Sequence, residues 1–145
     1  MTDLIPYLAA RDAAAAIAFY VDAFGATEVA RWTEPGTGKI GHAELEIGGR
    51  RMFLADEWPE GGVLAPQDGA GTPVSLVLDV DDVDAVFTRA VELGARVERP
   101  VTDAHGDRGG WLFDPAGHRW SIVTSGRELN RAELQEQIGT AYEIT

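Results

Sequence analysis

The chain repeats one helix–glycine–strand junction in its two halves. Phe24-Gly25-Ala26 ends a helical pattern in the first half, and Leu93-Gly94-Ala95 ends a similar pattern in the second. Glycine at this point suits the left-handed backbone conformation in which many helices terminate. A repeat of this size indicates two copies of one supersecondary unit that bury a shared surface. No other feature of the sequence limits the possible folds as strongly.

The first copy has the predicted element order β-α-β-β-β. An apolar run at 4–8 is typical of a strand, and Asp12 can cap a helix whose apolar residues recur at helical spacing. Gly48-Gly49 is typical of a hairpin turn. In the strand before it, His42 and Glu44 alternate with apolar residues and therefore lie on the other face. The later strands of this copy are predicted at 27–33, 40–47 and 51–56.

The second copy repeats that order. Residues 58–71 hold prolines and glycines without periodicity, so they are predicted to be a linker. The elements that follow are a strand at 72–80, a helix capped by Asp81 or Asp82, a strand at 95–100, a loop at 101–106, and a hairpin of 111–113 with 119–124. We predict a single α+β domain in which module one (3–57) and module two (72–125) form a curved mixed sheet around a central cavity. A tail at 126–145 carries a short helix at 129–138.

Composition narrows the functions that such a fold can serve. The chain has 145 residues, a formal net charge of −12, no cysteine, and Lys39 as its one lysine. Nucleic-acid and membrane partners are not expected, because phosphate binding needs clustered Lys and Arg. An acidic protein favours cationic small molecules over anionic ones. Neither a secretory signal nor a long apolar span is visible, which predicts a cytoplasmic protein.

Several local motifs are similar to those of one superfamily. They are Ala-Ile-Ala-Phe-Tyr at 16–20, Ala-Phe-Gly-Ala at 23–26, His-Ala-Glu-Leu-Glu-Ile-Gly at 42–48, Asp-Glu-Trp-Pro at 56–59, Gly-Asp-Arg at 106–108, and Asp-Pro-Ala-Gly-His-Arg-Trp at 114–120. Together with the paired modules, they resemble the vicinal-oxygen-chelate superfamily of glyoxalase I, extradiol dioxygenases, fosfomycin-resistance enzymes and bleomycin-binding proteins. The motifs at 42–48, 56–59, 106–108 and 114–120 resemble those of its PhnB-like subgroup. The resemblance covers residues 4–125 and implies the superfamily's fold.

The resemblance also implies where a divalent metal would be held. The ligand positions of the superfamily correspond here to Ile5, Leu54, Ser75 and Ser121. Hydrocarbon and hydroxyl side chains are poor ligands for the metals that this chemistry uses. We therefore expect neither a metal nor another cofactor in this chain.

If those positions face the cavity, strand alternation indicates its other lining residues. The candidate ligand-binding set is Tyr7, Trp32, His42, Glu44, Met52, Leu54, Asp56, Ser75, Arg108, Trp111 and Ser121. An apolar floor with a few polar groups and aromatic walls is typical of a small-molecule pocket.

Some candidates have a plain structural alternative. His42 and Glu44 can form a proton-transfer pair or belong to a solvated strand face. Arg108 can hold an anionic group of a ligand or pair with Asp107. Trp120 is expected in the helix-packing core.

The sequence leaves three functions open. The first is a metal-free protein that binds a small organic molecule, with antibiotic sequestration of the bleomycin-resistance type as one such use. The alternative is a glyoxalase-like lyase, isomerase or dioxygenase with a non-standard site at His42, Glu44 and Asp56. The third is a dimeric scaffold without a ligand. The resemblance also implies a homodimer, with the aromatic-rich linker 58–71 as a contact.

Overall fold

The computed structural model describes all residues from 1 to 145. The elements in chain order are β1 (Tyr7–Ala10), α1 (Ala13–Phe24), β2 (Thr27–Thr33), β3 (Ile40–Ile47), β4 (Arg50–Asp56), β5 (Ser75–Asp79), α2 (Val83–Glu92), β6 (Arg96–Ala104), β7 (Asp107–Phe113), β8 (Arg119–Thr124) and α3 (Arg131–Ile138), with a 3-10 turn at Pro59–Gly61. Both predicted copies of β-α-β-β-β are present, and the α+β class is confirmed.

Each copy builds one open, four-stranded mixed sheet. The strand order is β1-β4-β3-β2 in the first sheet and β5-β8-β7-β6 in the second. β1 runs parallel to β4 and β5 runs parallel to β8, whereas the other pairings are antiparallel. The matching order shows that the sequence repeat is a repeat of topology as well.

The helix ends follow the capping residues predicted from the sequence. The Asp12 side chain accepts a hydrogen bond from Ala15 N, and Asp82, rather than Asp81, does the same for Ala85 N. Gly25 ends α1 at φ 70°, in the left-handed region that glycine adopts without strain. None of the helices is long and apolar enough to cross a bilayer.

Several strand and helix boundaries differ from the prediction. β1 begins at Tyr7, because its pairing with β4 begins there. β6 continues through the predicted loop 101–106 as far as Ala104, with irregular register around Arg99. Pro100 lies within the register shift between Arg99 and Thr102, on the edge strand of the sheet, where a missing N–H is tolerated. β5 is shorter than predicted, and α3 begins at Arg131 because Asn130 caps it.

One hydrophobic core of 22 buried residues draws on both copies. Tyr20 and Phe24 of α1 pack against Trp120 of β8, with ring centroids 5.7 and 4.8 Å apart. Trp120 is only 3% exposed, which confirms its predicted place in the helix-packing core. α1 of the first copy therefore packs against the second sheet through aromatic contacts.

Asp114 is the charged residue inside this core, and it is 4% exposed. Its Oδ2 accepts hydrogen bonds from the Tyr20 hydroxyl at 2.5 Å and from Trp120 Nε1 at 2.8 Å. Its Oδ1 accepts from the backbone N–H of His118, whose ring Nε2 donates to the Ala9 carbonyl at 2.8 Å. Burial, together with the adjacent carboxylate, raises the pKa of Tyr20 well above its ordinary value, so the hydroxyl remains a donor.

Replacing Asp114 by Ala should lower the free energy of unfolding by about 3 kcal/mol or more, because two buried donors each lose an acceptor at about 1–3 kcal/mol. Urea denaturation followed by circular dichroism measures the change. Asp68→Ala is the matched control, since that carboxylate is 97% exposed and pairs with Arg11 at 3.6 Å. The control should change stability by no more than about 0.5 kcal/mol. Equal losses in the two variants would contradict the role given to Asp114.

Candidate functional site

The face of the first sheet that points away from the helices carries a cluster of polar and aromatic side chains. We call it the open face and define it by Tyr7, Trp32, His42, Glu44 and Phe53. Cross-strand register joins them, because Tyr7 pairs with Phe53, Phe53 with Glu44, and His42 with Trp32. Directly paired residues share a face of a sheet, so these side chains lie side by side.

A hydrogen-bonded chain runs through the middle of the open face. The Tyr7 hydroxyl lies 2.7 Å from His42 Nδ1, and His42 Nε2 lies 3.3 Å from Glu44 Oε1. An ionised carboxylate can only accept, so Nε2 of a neutral His42 carries the proton. Nδ1 is then the acceptor, and Tyr7 donates to it. The order of groups is phenol, imidazole and carboxylate, which is an arrangement that can relay a proton.

Aromatic rings enclose His42. Its ring centroid lies 4.7 Å from that of Trp32 and 4.8 Å from that of Phe53, both in edge-to-face geometry. Yet Tyr7 and Trp32 are 55% and 53% exposed. Partial burial raises the pKa of Tyr7, which keeps the phenol protonated as a donor to His42. The open face thus presents aromatic surface around a polar centre.

The structure corrects the predicted orientation of Met52 and Leu54. Both are buried in the core, at 4% and 0% exposure, on the helix side of the first sheet. The turn at Gly48 and Gly49 pairs Met52 with Leu45 and thereby also Leu54 with Ala43, so all four side chains point towards the helices. Neither Met52 nor Leu54 lines the open face, and Phe53, which the sequence analysis did not select, takes that place.

Asp56 has a different place from the one predicted. Its Oδ1 accepts from Ala13 N at 2.8 Å and its Oδ2 from Ile40 N at 2.7 Å. The carboxylate therefore ties the start of α1 to the start of β3. It makes no hydrogen bond with His42 or Glu44. The acid–base set predicted from the sequence therefore loses Asp56, and the group that contacts His42 in its place is Tyr7.

Three further candidates lie on the second sheet. Trp111 pairs across the ladder with Ser121, and Ser75 pairs with Arg119. The Arg119 guanidinium stacks over the Trp111 ring at 3.8 Å and donates to Ser75 Oγ at 3.0 Å. These side chains share a face, as predicted, but the cation already covers the aromatic ring.

Arg108 is engaged in ion pairs away from both groups. Its Nε and Nη2 contact the two carboxylate oxygens of Asp84 on α2 at 2.8 and 2.9 Å, and its Nη1 lies 3.2 Å from Asp103. The hydrogen bonds from Arg108 lower the pKa of the Asp84 carboxyl. Of the two roles considered for Arg108, ion pairing is the one observed, with Asp84 and Asp103 as partners instead of Asp107.

A cleft adjoins the open face where the first sheet meets the segment after β4. We call it the Tyr7 cleft; its volume is about 500 Å³. Trp58 and Val63 form its outer wall and exchange backbone hydrogen bonds of 2.7 and 3.0 Å. Its lining residues are Tyr7, Lys39, Ile40, Gly41, Ala55, Asp56, Trp58 and Val63. The sequence analysis did not select Lys39.

The sequence model described as the Glyoxalase/Bleomycin resistance protein/Dioxygenase superfamily matches residues 5–122. The chain belongs to this superfamily. It is 45% identical over 136 residues to an uncharacterized protein of Mycobacterium bovis, which covers 91% of this chain and 89% of the relative. Its fold is similar to that of TioX from Micromonospora sp. ML1, with a TM-score of 0.64, 26% identity, and coverage of 89% of this chain and 100% of that one. Protein PA1353 from Pseudomonas aeruginosa gives a TM-score of 0.70 at 24% identity, with 86% and 98% covered.

The superfamily's divalent metal does not fit the residues of this chain. Ile5, Ser75 and Ser121 offer no strong ligand, and the observed register places Phe53 rather than Leu54 on the open face. No group of three or more His, Asp or Glu side chains converges closely enough to hold a metal ion. The polar groups available at the open face are therefore those of Tyr7, His42 and Glu44.

The hydrogen-bonded chain predicts one tautomer for neutral His42. Nitrogen-15 NMR of the imidazole should show the proton on Nε2, because Glu44 can accept but not donate. In Glu44→Gln the side-chain amide can also donate, so the preference should weaken. Glu46→Gln is the matched control on the same strand, and it should leave the His42 signals unchanged. A proton found on Nδ1 in the wild type would refute the assigned direction of the chain.

Proposed function

We propose that this protein binds a small, flat organic molecule without covalent chemistry on the open face of its first sheet. The observation that carries the proposal is the cluster of Tyr7, Trp32 and Phe53 around His42, with Tyr7 and Trp32 more than half exposed. Aromatic pairs of suitable geometry contribute about 0.5–1.5 kcal/mol beyond their buried area. A flat ligand can therefore gain stacking energy from rings that water now covers.

The polar centre of the open face adds selectivity to that apolar surface. Glu44 and Tyr7 bond to the two nitrogens of His42, so the imidazole is held in one orientation before any ligand arrives. A ligand that hydrogen bonds to Tyr7 or Glu44 meets groups that are already positioned, which lowers the entropy cost of binding.

Antibiotic sequestration is one use of such a site, and the bleomycin-resistance branch of the superfamily supports it. Membership in the PhnB-like subgroup, which the motifs at 42–48 and 114–120 support, is part of the same proposal. A cytoplasmic location stays a prediction.

An enzymatic function is the second candidate, and the chain of Tyr7, His42 and Glu44 favours it. The Tyr7 oxygen can take a proton from an acidic C–H of a bound carbonyl compound while its own proton passes to His42 Nδ1. Glu44 stabilises the imidazolium that forms, and return of the proton to another carbon completes an isomerisation. Atoms and electrons balance without a cofactor. Incorporation of solvent deuterium into the ligand, lost in His42→Gln while binding persists, would favour this candidate.

Replacing Trp32 by Ala should weaken the binding of N-phenyl-1-naphthylamine, a neutral fluorescent aromatic probe, about tenfold. Loss of one stacking wall corresponds to roughly 1.4 kcal/mol, which is a factor of ten in affinity. Fluorescence titration measures the dissociation constant. Tyr142→Ala, which removes a 75% exposed aromatic side chain from the tail, is the control and should leave affinity unchanged. The proposal fails if the wild type does not bind the probe or if both variants bind it equally well.

We also propose that the protein is a homodimer. Leu64, Val74 and Val77 lie outside the open face and are each more than half exposed. Exposed apolar patches of this kind mark association or ligand sites on soluble proteins.

Size-exclusion chromatography with light scattering should return twice the chain mass of 15.6 kDa. The Leu64→Asp variant should shift the equilibrium towards monomer, because a charge in an apolar interface is costly to desolvate. Tyr142→Asp is the matched control and should leave the mass unchanged. A wild-type mass of one chain at high micromolar concentration would refute the dimer.

A further inference from the structure

We propose that the Tyr7 cleft receives the anionic group of a small aromatic ligand, such as a carboxylate or sulfonate, and that the Lys39 ammonium is its charge partner. The inference rests on the proposed function, because the cleft adjoins the open face through Tyr7. It reverses, for this site, the preference for cationic ligands that the overall charge of −12 predicts. The two charged residues that line the cleft are Lys39 and Asp56, and their existing partners decide which charge a ligand can neutralise.

Lys39 is the only lysine of the chain and the only cation that lines the cleft. Its ammonium takes part in none of the ion pairs of the structure, which is also true of arginines 50, 96, 99 and 131, but Lys39 is the only one of these five cations that lines the cleft. It can pair with an anion that the ligand brings.

Asp56 is the only acidic residue of the lining, and it is already satisfied. Both of its oxygens accept backbone N–H groups, from Ala13 and from Ile40. Ala13 is the first residue of α1, so the positive end of the helix dipole also stabilises the Asp56 carboxylate. A ligand anion therefore meets a carboxylate whose two oxygens are already bound to backbone N–H groups, and an ammonium that belongs to no ion pair.

Trp58 gives the cleft a preformed aromatic wall. Its backbone forms an isolated bridge with Val63, which closes the intervening residues into a tight turn. Its indole lies directly over Gly61, where an added Cβ would approach ring atom Cε3 to 2.2 Å. A glycine at this point is what allows the ring to lie against the turn. The aromatic body of a ligand can pack on this wall while its anionic group reaches Lys39.

The acidic surface of the rest of the molecule does not prevent this contact. At physiological ionic strength the Debye length is about 8 Å, so exposed charges further away are largely screened. Lys39 is itself exposed, so its contact with an anion is that of a surface ion pair at short range. The overall negative charge then lowers the rate at which an anionic ligand approaches, whereas Lys39 stabilises the anion once it is bound.

A pair of probes that differ in one charged group tests the inference. 8-Anilinonaphthalene-1-sulfonate carries a sulfonate, and N-phenyl-1-naphthylamine has the same rings without it. Lys39→Met should weaken binding of the sulfonate about fivefold, the factor expected for one exposed ion pair, and should change binding of the neutral probe less than twofold. Lys39→Arg should retain the sulfonate. Urea denaturation of each variant checks that folding is intact.

Arg50→Met is the matched control. Arg50 is exposed, lies at the far end of β4 from Asp56 and makes no ion pair, and removing it changes the net charge by the same amount as removing Lys39. It should leave the affinities of both probes within twofold of the wild type. Equal effects of Lys39→Met and Arg50→Met on the sulfonate would overturn the inference, because overall charge would then explain the preference.

The two proposals fail in different ways. Binding of the neutral probe at the open face, without any dependence of the sulfonate on Lys39, overturns the charge partner and leaves the proposed function standing. Absence of binding by either probe overturns both. Acylation of Lys39 followed by peptide mass spectrometry locates the site, because no other side-chain amine exists. The sulfonate probe should protect Lys39; protection that depends on protein concentration instead would assign the cleft to a second copy of the chain.

Discussion

The buried carboxylate of Asp114 holds the two halves of the molecule together. It lies in the second half of the chain and accepts from Tyr20 of the first, and the turn that it stabilises places His118 where its ring reaches the Ala9 carbonyl. A buried charge is costly unless its hydrogen bonds are complete. Here a hydroxyl, an indole N–H and a backbone N–H complete them. The relative placement of the two sheets depends on this network, and so does the position of β1, which carries Tyr7 of the open face.

Much of the fold could be predicted because each copy of the repeat contains residues that are typical of helix starts and helix ends. Asp12 and Gly25 mark the first helix, as the structure confirms, whereas the second helix ends at Glu92 with Leu93 as its C-cap, and the predicted Gly94 follows at φ 107°. Boundaries that depend on pairing were less accessible. β6 passes through Pro100, and no local signal in the sequence says that this strand lies at an edge where proline is tolerated.

The candidate site was predicted in part, and the error has a definite physical origin. His42 and Glu44 lie on the face that alternation assigned to them, whereas Met52 and Leu54 were assigned to the wrong side. A two-residue turn at 48–49 forces Met52 opposite Leu45, and directly paired residues share a face. The register of the β3–β4 hairpin therefore decides the orientation of Met52 and Leu54, and matching Leu54 alone to a position of the superfamily did not take that register into account. The bond between Tyr7 and His42 joins residues 35 positions apart and could not be read from spacing.

The irregular register of the outer strands has a consequence for how this protein can associate. β2 and β6 each form one edge of their sheet, opposite the edges formed by β1 and β5, and each contains shifts in pairing, at Glu28 and Trp32 in one and around Arg99 in the other. Bulges twist an edge and interrupt its row of free N–H and C=O groups. An exposed regular edge would recruit strands from other chains and promote fibrous aggregation. The edges at β2 and β6 discourage that route, which favours association through the exposed side chains of a sheet face over strand pairing at these two edges.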